Sequence, residues 1–206
     1  MIGRGGARWW MVLSLLLGLI FALLFWVSTA FAELSSRADF REIQVQQTNS
    51  AELPYVISSE IDLQLSDELR NALERGVPLF FTLELRIYQP RQFWFDSLEL
   101  NQSHTWRVQY NALLRQWRVV TEQSSVQEFS LDASLAHISG LYLWPIVDWQ
   151  RLAPDVSYEG RMRLKLDTSL LARPFQITAI NNSSAWSLSS PWKNFTVHLS
   201  AVKPSS

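Results

Sequence analysis

Proton transfer, metal binding and nucleophilic catalysis in this sequence would have to begin at three histidines, a few spaced carboxylates and scattered serines. Histidine serves metals and proton transfer alike. His104, His137 and His198 are 33 and 61 residues apart, with no i,i+4 or His-x-His pair, which is the pattern of unrelated surface or edge histidines rather than of a ligand set. His104 follows the polar stretch Asn101-Gln102-Ser103, which reads as a turn. No Gly-x-Ser-x-Gly elbow makes one serine special. Glu60 and Asp62 share a strand face, and Glu84 faces the same way as Arg86. A glycosidase needs two carboxyls roughly 5–10 Å apart in a cleft, one with its pKa raised by burial. These acids are instead the polar half of alternating strands, where solvated cross-strand ion pairs are expected. Phosphate-loop, EF-hand and dinucleotide fingerprints do not occur, and the absence of cysteine excludes thiolate chemistry of every kind. The expectation is a protein without enzymatic activity, cofactor or metal.

Features suited to binding are more prominent. Arg161, Arg163 and Lys165 alternate with Met162, Leu164 and Leu166. Three like charges on one strand face suit an acidic partner or lipid headgroups, and they equally suit the protection of an edge strand. Of ten tryptophans, seven (94, 106, 117, 144, 149, 186 and 192) follow the N-terminal apolar run. Trp106, Val108 and Tyr110 share a face that Trp117 and Val119 meet across a hairpin, which is core packing. In Phe93-Trp94-Phe95 neighbours point to opposite faces of a strand, so either the tryptophan or its flanking phenylalanines lie outside. Trp144 and Trp149 bracket a probable loop, where large aromatics either cap the ends of a sandwich or anchor an interface. Trp94, Trp144 and Trp149 are therefore the contact candidates, with Arg161 and Arg163 as a weaker set.

The element pattern that must position these residues starts with an export device. Small, positive residues 1–8 precede Trp9 to Val27, 19 residues broken only by Ser14 and Gly18. A helix of that length nearly matches a hydrocarbon thickness of about 30 Å. Ala30-Phe31-Ala32 then offers a small-x-small site for cleavage before Glu33. Residues 1–32 read as a cleaved signal peptide or as a single transmembrane anchor oriented by Arg4 and Arg8. Either way residues 33–206 are expected on the periplasmic side of a bacterial inner membrane. That remainder carries 16 basic and 19 acidic residues, a formal charge of −3, which excludes a broadly basic nucleic-acid binder.

From Glu33 onward the apolar period is two, as in Ile61-Asp62-Leu63-Gln64-Leu65. Ser66 reads as an N-cap, Asp67 and Glu68 as a first turn, and Gly76 as a terminator, which predicts a short helix over 66–75. Phe81, Leu83, Leu85 and Ile87 alternate with Thr82, Glu84, Arg86 and Tyr88 in the clearest strand. Further strands are expected over 93–100, 105–111, 115–122, 158–166, 174–180 and 192–199, with a second short helix over 133–139. Eight to ten strands and two short helices without βαβ alternation predict a mainly β antiparallel sandwich, a closed barrel being the alternative.

The succession of segments resembles a bacterial family of exported proteins, the domain of unknown function 4390 family. Its likeness is carried by Leu65-Ser66-Asp67-Glu68-Leu69 with Ala72-Leu73-Glu74-Arg75-Gly76-Val77-Pro78-Leu79. It continues through Tyr110-Asn111-Ala112-Leu113, Trp117-Arg118-Val119, Trp144-Pro145, Tyr158, Arg163-Leu164, Leu166-Asp167 and Trp186-Ser187-Leu188-Ser189-Ser190-Pro191-Trp192. The resemblance implies an N-terminal hydrophobic segment, no assigned activity or cofactor, and a membrane sensor kinase as the direction in which to look for a partner. The expected function is a non-enzymatic envelope interaction module, with a sensor histidine kinase outer domain as its partner. The alternative is a binder of a lipid-like apolar ligand held between the sheets.

Overall fold

A computed structural model of the chain describes residues 35–50, 52–91 and 95–199. The N-terminal apolar segment, the cleavage site after Ala32 and the contact candidate Trp94 lie outside the described residues. Residues 35 onward form one compact unit.

Two antiparallel sheets make up this unit. The smaller has the order β1 (Arg37–Gln47), β2 (Tyr55–Gln64), β7 (Gly140–Pro145). The larger runs β6 (Ser125–Glu128), β5 (Gln116–Val120), β4 (Ser97–Asn111), β3 (Leu79–Gln89), β8 (Ser157–Leu166), β9 (Lys193–His198). Inward residues of both sheets belong to one hydrophobic cluster, from Phe40, Ile57 and Ile61 of the first to Leu83, Leu85, Val108 and Met162 of the second. That is the expected mainly β sandwich.

Period-two patterning explains the central strand. In β3 the residues Leu79, Phe81, Leu83, Leu85 and Ile87 are fully buried, while Glu84, Arg86 and Tyr88 stay half-exposed on the outer face. The β4–β5 hairpin pairs Tyr110 with Trp117 and Val108 with Val119, the cross-strand contacts expected from sequence. The Tyr110 and Trp117 rings stand 4.9 Å apart. On the smaller sheet, Arg41 bonds Glu60 at 3.0 Å and lies 3.6 Å from Asp62, so those carboxylates are solvated cross-strand partners.

Three helices cover what the strands leave open. α1 (Asp67–Glu74) starts where Ser66 Oγ accepts from Leu69 N. It ends with Gly76 at φ +84°, Gly76 N donating to Leu73 O and Val77 N to Ala72 O, a left-handed terminator that only glycine adopts freely. α2 (Leu131–Ser139), capped by Ser130, packs on β2, β5, β6 and β7. α3 (Arg173–Asn181) replaces the strand expected over 174–180. Ile177, Thr178 and Ile180 resemble strand residues, yet Pro174 favours a helix start and Gln176 Nε2 donates to the carbonyls of Ser169 and Leu171. Only Ala179 of this helix is buried.

Two further expectations need correction. Asn101-Gln102-Ser103-His104 is the middle of β4, because its alternation continues with Gln102 and His104 at inward positions between Leu100 and Trp106. The stretch from Leu141 is β7 rather than a loop, paired to β2 through Ile57↔Trp144 and Ser59↔Leu141 across a bulge. The bulge hides the alternation.

Leu83 has no exposed surface and lies in the centre of the larger sheet. Leu83→Ala is expected to lower unfolding stability by about 2–5 kcal/mol, the usual cost of such a cavity. Urea denaturation checks this, and a loss indistinguishable from zero contradicts the core assignment.

Candidate functional site

Sequence reasoning named five contact candidates, and the structure describes four of them. Trp144 is a β7 residue only 7% exposed, its ring 6.0 Å from that of His104, so it packs inward and has no face for a partner. Trp149 begins a 3-10 turn (Trp149–Arg151) and is half-buried; its Nε1 donates to the Glu52 carbonyl at 3.1 Å and its ring meets Tyr55 edge-on. Arg161 and Arg163 lie on the outer face of β8, an interior strand between β3 and β9, so their charge protects no edge.

These arginines already have partners. Arg161 Nε donates to Glu159 Oε1 at 2.8 Å, and its guanidinium lies 4.6 Å over the Tyr88 ring. Arg163 Nη2 donates to Glu84 Oε2 at 2.7 Å, and Lys165 Nζ stands 2.7 Å from Glu84 Oε1. Trp192 accepts two guanidinium groups on its ring, Arg86 at 4.8 Å and Arg163 at 4.5 Å. Burial pushes the Glu84 pKa up, but hydrogen bonds and charge from Lys165 and Arg163 outweigh it and hold the carboxyl below its ordinary value. The result is a network of charge and aromatic faces bracing the middle of the sheet, with the buried Arg163 Nε left without a hydrogen-bond partner.

The histidines are less scattered than their spacing suggests. His104 and His137 line one cleft of about 450 Å³, which opens between β4, β5, α2 and β7 beside Trp106, Val119, Leu141 and Tyr142. His104 packs edge-on to Trp106 at 4.4 Å, and burial lowers its pKa against the weaker pull of Glu122. His137 Nε2 lies 2.7 Å from Glu128 Oε1. Catalysis would further need a nucleophile within reach of one of these rings. Thr121 and Ser124, two hydroxyl residues of the cleft, bond each other at 3.0 Å, and Tyr142 lines it as well. His198 approaches Ser157 Oγ at 3.5 Å on the exposed β8–β9 edge, with no carboxylate bonded to it among the described residues. No cluster of three or more potential metal ligands occurs among the described residues.

The feature that sequence reasoning missed is the β7 bulge. Leu141 and Trp144 both turn inward, which forces Tyr142 and Leu143 outward together, 79% and 60% exposed. Leu143 adopts φ +53°, a conformation that costs a non-glycine residue, and its N–H is held by Ser58 Oγ at 3.3 Å. Two apolar residues beside two inward ones, rather than simple alternation, was the available signal.

A family model described as Domain of unknown function (DUF4390) matches residues 35–196. No curated protein and no solved structure matches the chain. The chain belongs to the DUF4390 family, and the match begins and ends within the sandwich just described.

Because the Glu84 pKa is lowered on folding, its stabilisation is present above the ordinary glutamate pKa and fades as pH falls through the lowered value. Glu84→Gln is therefore expected to be less stable than the parent at neutral pH, the gap closing in acid. Urea midpoints across that range measure it, and a pH-independent gap contradicts the ion network.

Proposed function

We propose that this domain is a non-enzymatic interaction module of the bacterial envelope, exported or anchored by residues 9–27, that docks another envelope protein through the β7 bulge. The observation carrying this reading is the outward pair Tyr142 and Leu143, displayed on a bulged strand with a left-handed Leu143. Bulges re-aim side chains and recur beside functional surfaces, and backbone strain persists where the surroundings enforce it. Exposed aromatic and aliphatic anchors next to a cleft are what a partner's side chains fill. The outer domain of a membrane sensor kinase is the partner towards which the family resemblance points. Trp144 lies buried in the same strand.

A second reading, binding of a lipid-like ligand, is supported by the cleft beside β7, whose 450 Å³ lies within the size range of small-molecule sites. Native mass spectrometry of the protein purified from membranes is then expected to show a lipid-sized adduct that Val119→Trp removes. A clean protein mass in the parent contradicts this reading.

For the interaction module, Tyr142→Ser with Leu143→Ser is expected to abolish recovery of a cross-linked partner from intact cells while shifting the thermal midpoint by no more than a few degrees. Trp144→Ala, in contrast, is expected to cost about 3–5 kcal/mol as a core cavity. Undiminished cross-linking by the double variant contradicts the docking surface.

A further inference from the structure

The two ends of the sandwich differ in a way the β7 surface does not explain. Ser36, where the chain enters β1, has its Oγ bonded by Ser66 N at 2.9 Å, at the N-cap of α1. The other end of α1 reaches the β4–β5 hairpin, for a Cβ on Gly76 would lie 3.6 Å from the Tyr110 carbonyl. Ser66 Oγ donates to the carbonyl of Ala185, which brings in the segment after α3. The chain entry, α1, the β4–β5 turn and α3 therefore lie at one end of the domain.

Several large apolar side chains are exposed at that end. Asn111 Oδ1 accepts from Leu113 N and Leu114 N and so fixes the turn, yet Leu113 is 95% exposed and Leu114 is exposed beside it. Phe129 follows β6, whose Glu128 pairs with Trp117 in the same hairpin, and is also exposed. Leu170, in the 3-10 turn after β8, and Ile177 and Ile180 of α3 complete the set. A solvent-facing turn or helix needs none of these side chains.

Arginines stand beside these apolar side chains. Arg115 and Arg118 have no ion pair among the described residues, and no acid occurs between Tyr110 and Val120. Arg173 opens α3, and no acid follows Asp167 in the chain. The acids of this end are Asp67, Glu68 and Glu74 by α1, Glu128, which meets His137 Nε2 at 2.7 Å, Asp132, which lies 3.8 Å from Arg70, and Asp167, which accepts from Ser169.

We propose that this end lies against an anionic bilayer surface, with Leu113, Leu114, Phe129, Leu170, Ile177 and Ile180 in the interface and Arg115, Arg118 and Arg173 against headgroup phosphates. Apolar side chains interleaved with arginine are the composition that partitions into such an interface. The inference rests on the reading of residues 9–27 as membrane-seeking. From Val27 to Ser35 the chain can span no more than roughly 30 Å.

Absence of native cysteine permits a clean test with the full chain. Single variants Leu114→Cys, Ile180→Cys and, at the opposite end, Phe95→Cys carry an environment-sensitive fluorophore. Each is reconstituted into vesicles of phosphatidylethanolamine and phosphatidylglycerol, with flotation as a separate readout. The expected result is flotation of all three, with blue-shifted emission and quenching by nitroxide lipids at 114 and 180 but not at 95. Flotation without quenching at 114 and 180 overturns the surface proposal alone, and failure to float overturns the membrane-seeking segment together with it. A blue shift that tracks protein density and resists nitroxide lipids means a second copy covers this end, which also overturns the proposal.

Discussion

A three-stranded sheet cannot cover a six-stranded one, and most of the architecture is a response to that mismatch. Face-to-face sheets stabilise each other by excluding water from both inner surfaces. Here β1 reaches β9 at one side of the larger sheet and β7 lies over β4, and α1 and α2 extend the cover towards β4, β5 and β6. Where that cover runs out the sandwich stays open, and the cleft with His104 and His137 lies there. The same shortfall makes β7 a strand that must bury Leu141 and Trp144 against a wide surface, and the bulge is how it does so.

Polar residues on an inner face usually weaken a sandwich, so Gln102 and His104 require explanation. Gln102 Nε2 donates to the Pro145 carbonyl at 2.8 Å and its Oε1 accepts from Val147 N at 2.9 Å. One amide thus ties the larger sheet to the backbone at the end of β7, satisfying groups that strand pairing does not reach. His104 stands one step along the same face between Trp106 and Trp144, and burial lowers its pKa. These two side chains mark the line along which the sheets are clamped. The outer face is braced differently, by Glu84 between Arg163 and Lys165 and by Trp192 under two guanidinium groups.

Elements whose local chemistry agrees with their tertiary role were legible in the sequence. Alternation from Phe81 to Ile87, the Ser66 cap with its Gly76 terminator, and the Trp106–Trp117 hairpin all appear as read. Elements decided by distant contacts were not. Asn101 to His104 reads as a turn because its inward positions are polar, and the partners of Gln102 lie more than forty residues away at and just beyond the end of β7. Strand-like isoleucines at 177 and 180 sit on a helix because they are exposed, so packing imposes no period of two on them. Arg161 and Arg163 read with Lys165 as like charges on one strand face, because their acidic and aromatic partners are spread over β3, β8 and Trp192. Trp144 looked loop-borne because a bulge hides its pairing, and the same bulge displays Tyr142 and Leu143.

Clamping of β7 onto β4 is the claim on which the cleft, the outward pair and the buried Trp144 all depend. Nuclear Overhauser contacts in the folded protein test it most directly. The account predicts ring-to-ring contacts from His104 to both Trp106 and Trp144, with cross-strand contacts between Ile57 and Trp144. A Trp144 ring that shows none of these and exchanges freely with water would contradict it.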